Sequence, residues 1–166
     1  KSLKISTQSF ISFLERPDMK NATEMSIAAN LAGKAINISK TTVPHAVSYP
    51  FTSLFNISHG HAVSLFFEKF FKFNFDNLKK SETNFNLKKR YDLIFDLFGV
   101  SNIDSFCSKI TLIKKKSFLE DNLLKMNINV NNDIDKIVKG INLLRLGNNP
   151  VKIDGKDIYN IISGVK

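Results

Sequence analysis

HGHAVSLFFEKFFKFNF, residues 59–75, decides the fold class. Leu65, Phe66, Phe67, Phe70, Phe71 and Phe73 recur at spacings that gather them on one broad face of an α-helix, not at the strict alternation of a strand. Ser58 stands in front as an N-cap. The stretch therefore predicts one continuous helix whose wide apolar face makes it the central buried element. Phenylalanines beside lysines can also form a base-stacking platform, but at helical spacing in a chain without tryptophan they read as core.

Upstream, KSLKISTQSFISFL opens with Leu3, Phe10, Ile11 and Leu14 on an amphipathic helix that Pro17 ends. Asn21 and Glu24 have capping-box spacing for a second helix, NATEMSIAANLAGKAINIS. Its inner stripe is Met25, Ala28, Ala29, Ala32, Gly33, Ala35 and Ile36, small enough for close helix packing. Thr41 and Thr42 break that pattern, and Pro44 suits the first turn of a third helix, where a missing N–H costs nothing.

Downstream, residues 74–86 are rich in Asn and Lys and read as a surface connection. LKKRYDLIFDLFG reads as a helix closed by Gly99, and IDSFCSKITLIKKKS as another. A helix from about Asp133 to Leu146 stops at Gly147, and a last one spans Lys156 to Ser163 with Gly164 behind it. No alternating strand pattern, internal repeat or low-complexity segment appears, so the fold class is all-α, a helical bundle. At 166 residues and 43% hydrophobic content, residues 1–166 read as a single all-helical domain.

No apolar run approaches the roughly 20 residues of a membrane span, and no secretory signal is recognisable. The lone Cys107 sits at a half-buried helix position and supports no disulfide framework, which favours a reducing cytoplasm. The net charge of +9 raises a second function class, a basic all-α module for nucleic acid or an acidic protein. Its lysines, however, cluster at 79–80, 88–89 and 114–116 on separate elements, and no helix arrays arginines for base readout. Solvated helix ends explain them.

All three histidines fall between residues 45 and 61. His45 and His59 each follow a turn-forming residue at a predicted helix start, so two helix ends can converge there and offer two imidazoles to zinc or ferrous iron. Two nitrogens do not complete such a site, and packing or capping at helix starts is the plain alternative. His61, two residues past His59, points about 200° around the axis and is no third ligand. Tyr49 shares a helix face with His45. Glu24 and Glu68 are the nearest acids in sequence, and neither is well placed.

AANLAGKAINISKTTVPHAVSYPFTSLFNISHGHAV resembles the metal-binding core of the iron-containing (group III) alcohol dehydrogenases. That family pairs an A-G-x-A-type helix with a PHALSHP-like turn and a G-I-P-H-G-like helix start at this interval. RLGNNPVKIDGKDIYNII is similar to its final helix. The wording around Tyr49 and His61 looks most like the phosphonoacetaldehyde reductase branch.

The resemblance implies a C-terminal metal-binding helical domain whose NAD(P)-binding N-terminal domain is absent from this chain. His45 and His59 match the family's metal-binding histidines, and Tyr49 stands where many members place a histidine beside substrate and nicotinamide. An aspartate, usually with a histidine four residues later, belongs on a helix upstream. The implied activity is that of a metal- and NAD(P)-dependent alcohol dehydrogenase or aldehyde reductase, inactive as this chain alone. It uses Fe2+ or Zn2+ and NAD or NADP on a small aldehyde or alcohol such as phosphonoacetaldehyde, and it partners the missing domain or further copies in a homo-oligomer, with neither nucleic acid nor membrane. Lys40 would suit an anionic substrate, though a solvated loop lysine is the plainer role.

Overall fold

The computed structural model describes residues 1–164, apart from the side chains of Leu143 and Leu144. The helices are α1 (Ser2–Glu15), α2 (Met19–Ser39), α3 (Val43–Phe55), α4 (His59–Ser64), α5 (Phe67–Asp76), α6 (Leu87–Phe98), α7 (Ile103–Lys116), α8 (Val130–Lys139), α9 (Leu143–Leu146) and α10 (Gly155–Ser163), with a 3-10 turn at Leu78–Lys80. Extended pairing among the described residues is limited to one antiparallel bridge, Ser81 to Val151. The fold is all-α, and none of its described helices is long and apolar enough to cross a membrane. The chain forms two compact units, residues 1–40 with 90–118 and residues 41–89 with 119 onward.

In the first unit α1 and α2 pack as a hairpin in which Ser2 Oγ donates to Ala28 O at 2.7 Å and Ser9 Oγ to Glu24 Oε2 at 2.5 Å. Glu24 is thus a packing partner of α1. The cap of α2 lies three residues before the expected one: Asp18 accepts from the Asn21 N–H at 2.8 Å, and Asn21 Oδ1 accepts from the Asp18 N–H at 3.0 Å. An aspartate suits that position because its charge faces the positive end of the helix. The small-residue stripe is buried only in part. Ala28 is enclosed and Met25 and Ala32 are half-buried, whereas Ala29, Gly33, Ala35 and Ile36 are exposed. Length explains this, since the 14 residues of α1 cannot cover the 21 of α2.

Around α6 and α7, the Tyr91, Phe95 and Phe106 rings make a continuous aromatic core with Ile103. Gly99, at φ +63°, ends α6 as expected, with the Val100 N–H reaching back to Phe95 O at 3.0 Å. The lysine run closing α7 is not uniformly solvated, because Lys114 is buried and Lys116 pairs with Glu15 at 2.8 Å. Lys40 closes α2 in an unusual way. Its N–H bonds to Ile36 O at 2.8 Å and its Nζ to Asn37 O at 3.0 Å, while the backbone adopts φ 62°, ψ −167°. That region is essentially reserved for glycine.

The second unit is organised on α3. Val43, Ala46, Val47, Pro50 and Phe51 recur at i, i+3, i+4, i+7 and i+8, and all are buried. The phenylalanine-rich segment, expected to be the central helix, is instead two helices. The chain turns at Leu65 and Phe66, where Phe66 takes φ −124°, ψ 6°. This re-aiming buries Leu65, Phe66 and Phe70, whereas Phe67, Phe71 and Phe73 remain half-buried. Phe51 meets Phe66 at 5.1 Å between ring centres.

The helix expected from Asp133 to Leu146 likewise divides into α8 and α9 around Gly140. A Cβ at Gly140 would stand 3.0 Å from Pro50 Cβ, so a larger residue cannot approach α3 as closely. Asn74, expected on the surface, is buried in α5 and forms a reciprocal amide pair with Asn149: each Nδ2 donates to the other's Oδ1, at 3.2 and 2.8 Å. Asn149 also donates to Val151 O at 2.6 Å.

Candidate metal centre

His45 lies in the first turn of α3, where Pro44 supplies a preset φ and the Ala46 N–H bonds to Thr42 O. His59 is the first residue of α4, entered from Ser58, after Asn56 has turned the chain in the left-handed conformation at φ 53°. These two local features bring the side chains together. His45 Nδ1 and His59 Nε2 are 3.2 Å apart, and the ring centres 5.2 Å.

Ser48, one turn beyond His45 and fully buried, fixes the second ring. Its hydroxyl donates to His45 O at 2.8 Å, and its Oγ lies 3.3 Å from His59 Nδ1. A serine carries a single proton, so Oγ is the acceptor at Nδ1. His59 is therefore the Nδ1–H tautomer, and its Nε2 lone pair faces His45. This is the arrangement by which outer partners orient imidazole ligands.

Tyr49 completes the cluster with its ring 5.5 Å from that of His59. Over its other neighbour space lies Arg145 of α9, whose guanidinium carbon is 4.8 Å from the Tyr49 ring centre and whose Nη1 donates to Thr41 Oγ1 at 2.9 Å. Asn148 Nδ2 bonds Thr41 O at 3.0 Å. The His45 pKa is held below its usual 6.5, first by burial and then by the charges of His59 and Arg145. Neutral imidazole is the form that binds metal.

Two nitrogens held at about 2.1 Å by one ion and separated as these are subtend about 100°, between the tetrahedral and octahedral angles. The pair thus fits two adjacent positions on a divalent cation. Among the described residues no group of three or more His, Cys, Asp or Glu could hold a metal. His61 turns away, its Nε2–H donating to Glu120 O at 2.6 Å. Lys40, considered for an anion, is engaged with Asn37 O.

Sequence reasoning named the histidine pair and Tyr49, which the structure brings together, and gave no place to Ser48 or Arg145, which adjoin them. Ser48 left a weak signal, being three residues after His45 on the same face. Arg145, a hundred positions away, left none.

The sequence model of the Fe-containing alcohol dehydrogenase family, C-terminal, matches residues 1–165. Among solved structures, a histidine-to-alanine variant of an archaeal halo-thermophilic alcohol dehydrogenase from a Red Sea brine pool superposes with a TM-score of 0.86 at 21% identity, covering 98% of this chain and 42% of that one. The sulfoacetaldehyde reductase of Bifidobacterium kashiwanohense in complex with NAD+ gives 0.80 at 22% identity, covering 99% and 42%. The chain thus spans about two-fifths of the length of these structures, and at such identities the likeness shows the fold. No curated protein matches the sequence significantly.

Proposed function

Since the chain belongs to the Fe-containing alcohol dehydrogenase family, as its C-terminal helical domain, we propose that it is the metal-holding part of an NAD(P)-dependent enzyme that interconverts a small aldehyde and its alcohol. In this reading residues 1–166 act as one domain, and an N-terminal domain outside this chain binds the nicotinamide nucleotide. The observation that carries it is the 3.2 Å approach of His45 Nδ1 and His59 Nε2, with His59 oriented by the buried Ser48.

A bound Fe2+ or Zn2+ supplies Lewis-acid polarisation of the substrate oxygen. His45 and His59 would hold it from two helix starts, with carboxylate or further imidazole ligands supplied from outside this chain. Ser48 keeps the His59 proton on Nδ1. Tyr49, 37% exposed beside His59, forms the wall along which nicotinamide and substrate meet. A small aldehyde is also the substrate named for one structural neighbour, the sulfoacetaldehyde reductase; phosphonoacetaldehyde is the substrate proposed here.

The test is metal content and NAD(P)H oxidation by an aldehyde panel, measured on the full-length protein. His45→Ala and His59→Ala should each lose the divalent ion and turnover together. Retention of both the ion and the activity in either variant overturns the reading.

A further inference from the structure

The cluster contains a cation that the histidine pair does not need. Arg145 is half-buried, stacked on Tyr49 and anchored through one N–H to Thr41 Oγ1. Thr41 is itself held by Asn148, three residues past Arg145, so the guanidinium is positioned against the first residue of the second unit. Among the described residues no carboxylate lies within ion-pair distance of it. Its carbon is 4.8 Å from the Tyr49 ring centre, which in turn is 5.5 Å from that of His59.

A partly desolvated positive charge without a counter-ion is unfavourable. Cation stacking on Tyr49 offsets part of this cost and leaves the edge of the guanidinium, with its remaining donors, available. What the arrangement lacks is an anion. A guanidinium fork matches the paired oxygens of phosphonate, sulfonate or carboxylate, and a rigidly held fork loses little freedom on binding them.

We infer that Arg145 is the specificity residue for a substrate bearing an anionic group, a short aldehyde whose carbonyl lies toward His45 and His59 while its terminal oxyanion pairs with the guanidinium. Tyr49 neighbours both groups, its ring centre 5.5 Å from that of His59 and 4.8 Å from the guanidinium carbon, so a short substrate is the kind whose two ends can address the histidines and Arg145 together. The inference rests on the dehydrogenase reading for the aldehyde and on Arg145 alone for the anion.

The experiment compares wild type, Arg145→Gln and Arg145→Lys in the full-length protein. Reduction of phosphonoacetaldehyde and sulfoacetaldehyde is measured against propanal, and binding of methylphosphonate and methanesulfonate is followed by calorimetry. Arg145→Gln should lower kcat/KM for the anionic aldehydes on the order of 10- to 100-fold relative to its effect on propanal, mainly through KM. Arg145→Lys, which keeps the charge but not the fork, should recover part of the loss, and the two anion probes tell phosphonate from sulfonate preference.

Equal losses on all three aldehydes would make Arg145 a structural residue, and no loss on any would remove it from the site; either result overturns the inference. If wild type reduces no aldehyde, the dehydrogenase reading falls by itself. Methylphosphonate or methanesulfonate binding that Arg145→Gln abolishes then still supports the anion site, and its absence refutes it.

Discussion

Replacing Lys40 by glycine should stabilise the chain. At φ 62° and ψ −167° this residue occupies backbone space that costs a side-chain-bearing residue about 1–3 kcal/mol. Glycine removes that cost but gives back about 0.5–1 kcal/mol through the greater freedom of the unfolded chain. The exposed bond from Lys40 Nζ to Asn37 O is lost as well, a small term at the surface. The net gain is about 1 kcal/mol, which for a chain of this size raises Tm by about 2–4 °C. Thermal unfolding followed by far-UV circular dichroism reads it directly. Lys40→Ala is the control, since it removes the ammonium but keeps the strained backbone, and it should show no rise. A Lys40→Gly variant that melts at or below the wild-type temperature refutes the argument.

Gly140→Ala and Gly33→Ala should move stability in opposite directions. An added Cβ at Gly140 meets the buried Pro50 at 3.0 Å and should cost about 1–2 kcal/mol in urea unfolding, whereas Gly33, with nothing within 4 Å, should gain about 0.5–1 kcal/mol from helix propensity. On the proposed function, Ser48→Ala should weaken divalent-ion affinity of the full-length protein by about 10- to 100-fold, measured by chelator competition, with His45 and His59 still in place. The lowered pKa of His45 fixes the sign of a pH effect in the metal-free protein. The unfolded chain takes up that proton first, so its contribution is fully retained above the usual 6.5 and is lost as pH falls toward the folded value. The urea midpoint should drop between neutral and mildly acid pH, and His45→Gln should flatten that portion of the curve.

Local signals carried the sequence reading wherever a helix is defined by its own residues. Gly99 and Gly164 end α6 and α10 at φ +63° and +73°, and Pro44 opens α3, as spacing and turn chemistry require. Apart from the α2 cap, which falls at Asp18 and not at Asn21, the errors lie where distant packing decides. The break at Leu65 and Phe66 aims three side chains at a core built on α3, and the break near Gly140 answers Pro50, ninety positions earlier in the chain. The site divides in the same way. The His45 and His59 interval is visible because two short-range helix starts create it, and Ser48 and Arg145 were not, because each acts through a contact made only after folding.

The amide pair of Asn74 and Asn149 has a consequence for chemical ageing. Asparagines deamidate when the next backbone nitrogen attacks the side-chain carbonyl, and the residue after Asn149 is Pro150, which has no N–H to offer. The amide that donates to both Asn74 Oδ1 and Val151 O is therefore shielded from the commonest route of spontaneous conversion to aspartate. Such a conversion would set a carboxylate against two carbonyl oxygens. The sequence of the turn thus preserves over time the clasp that its geometry forms.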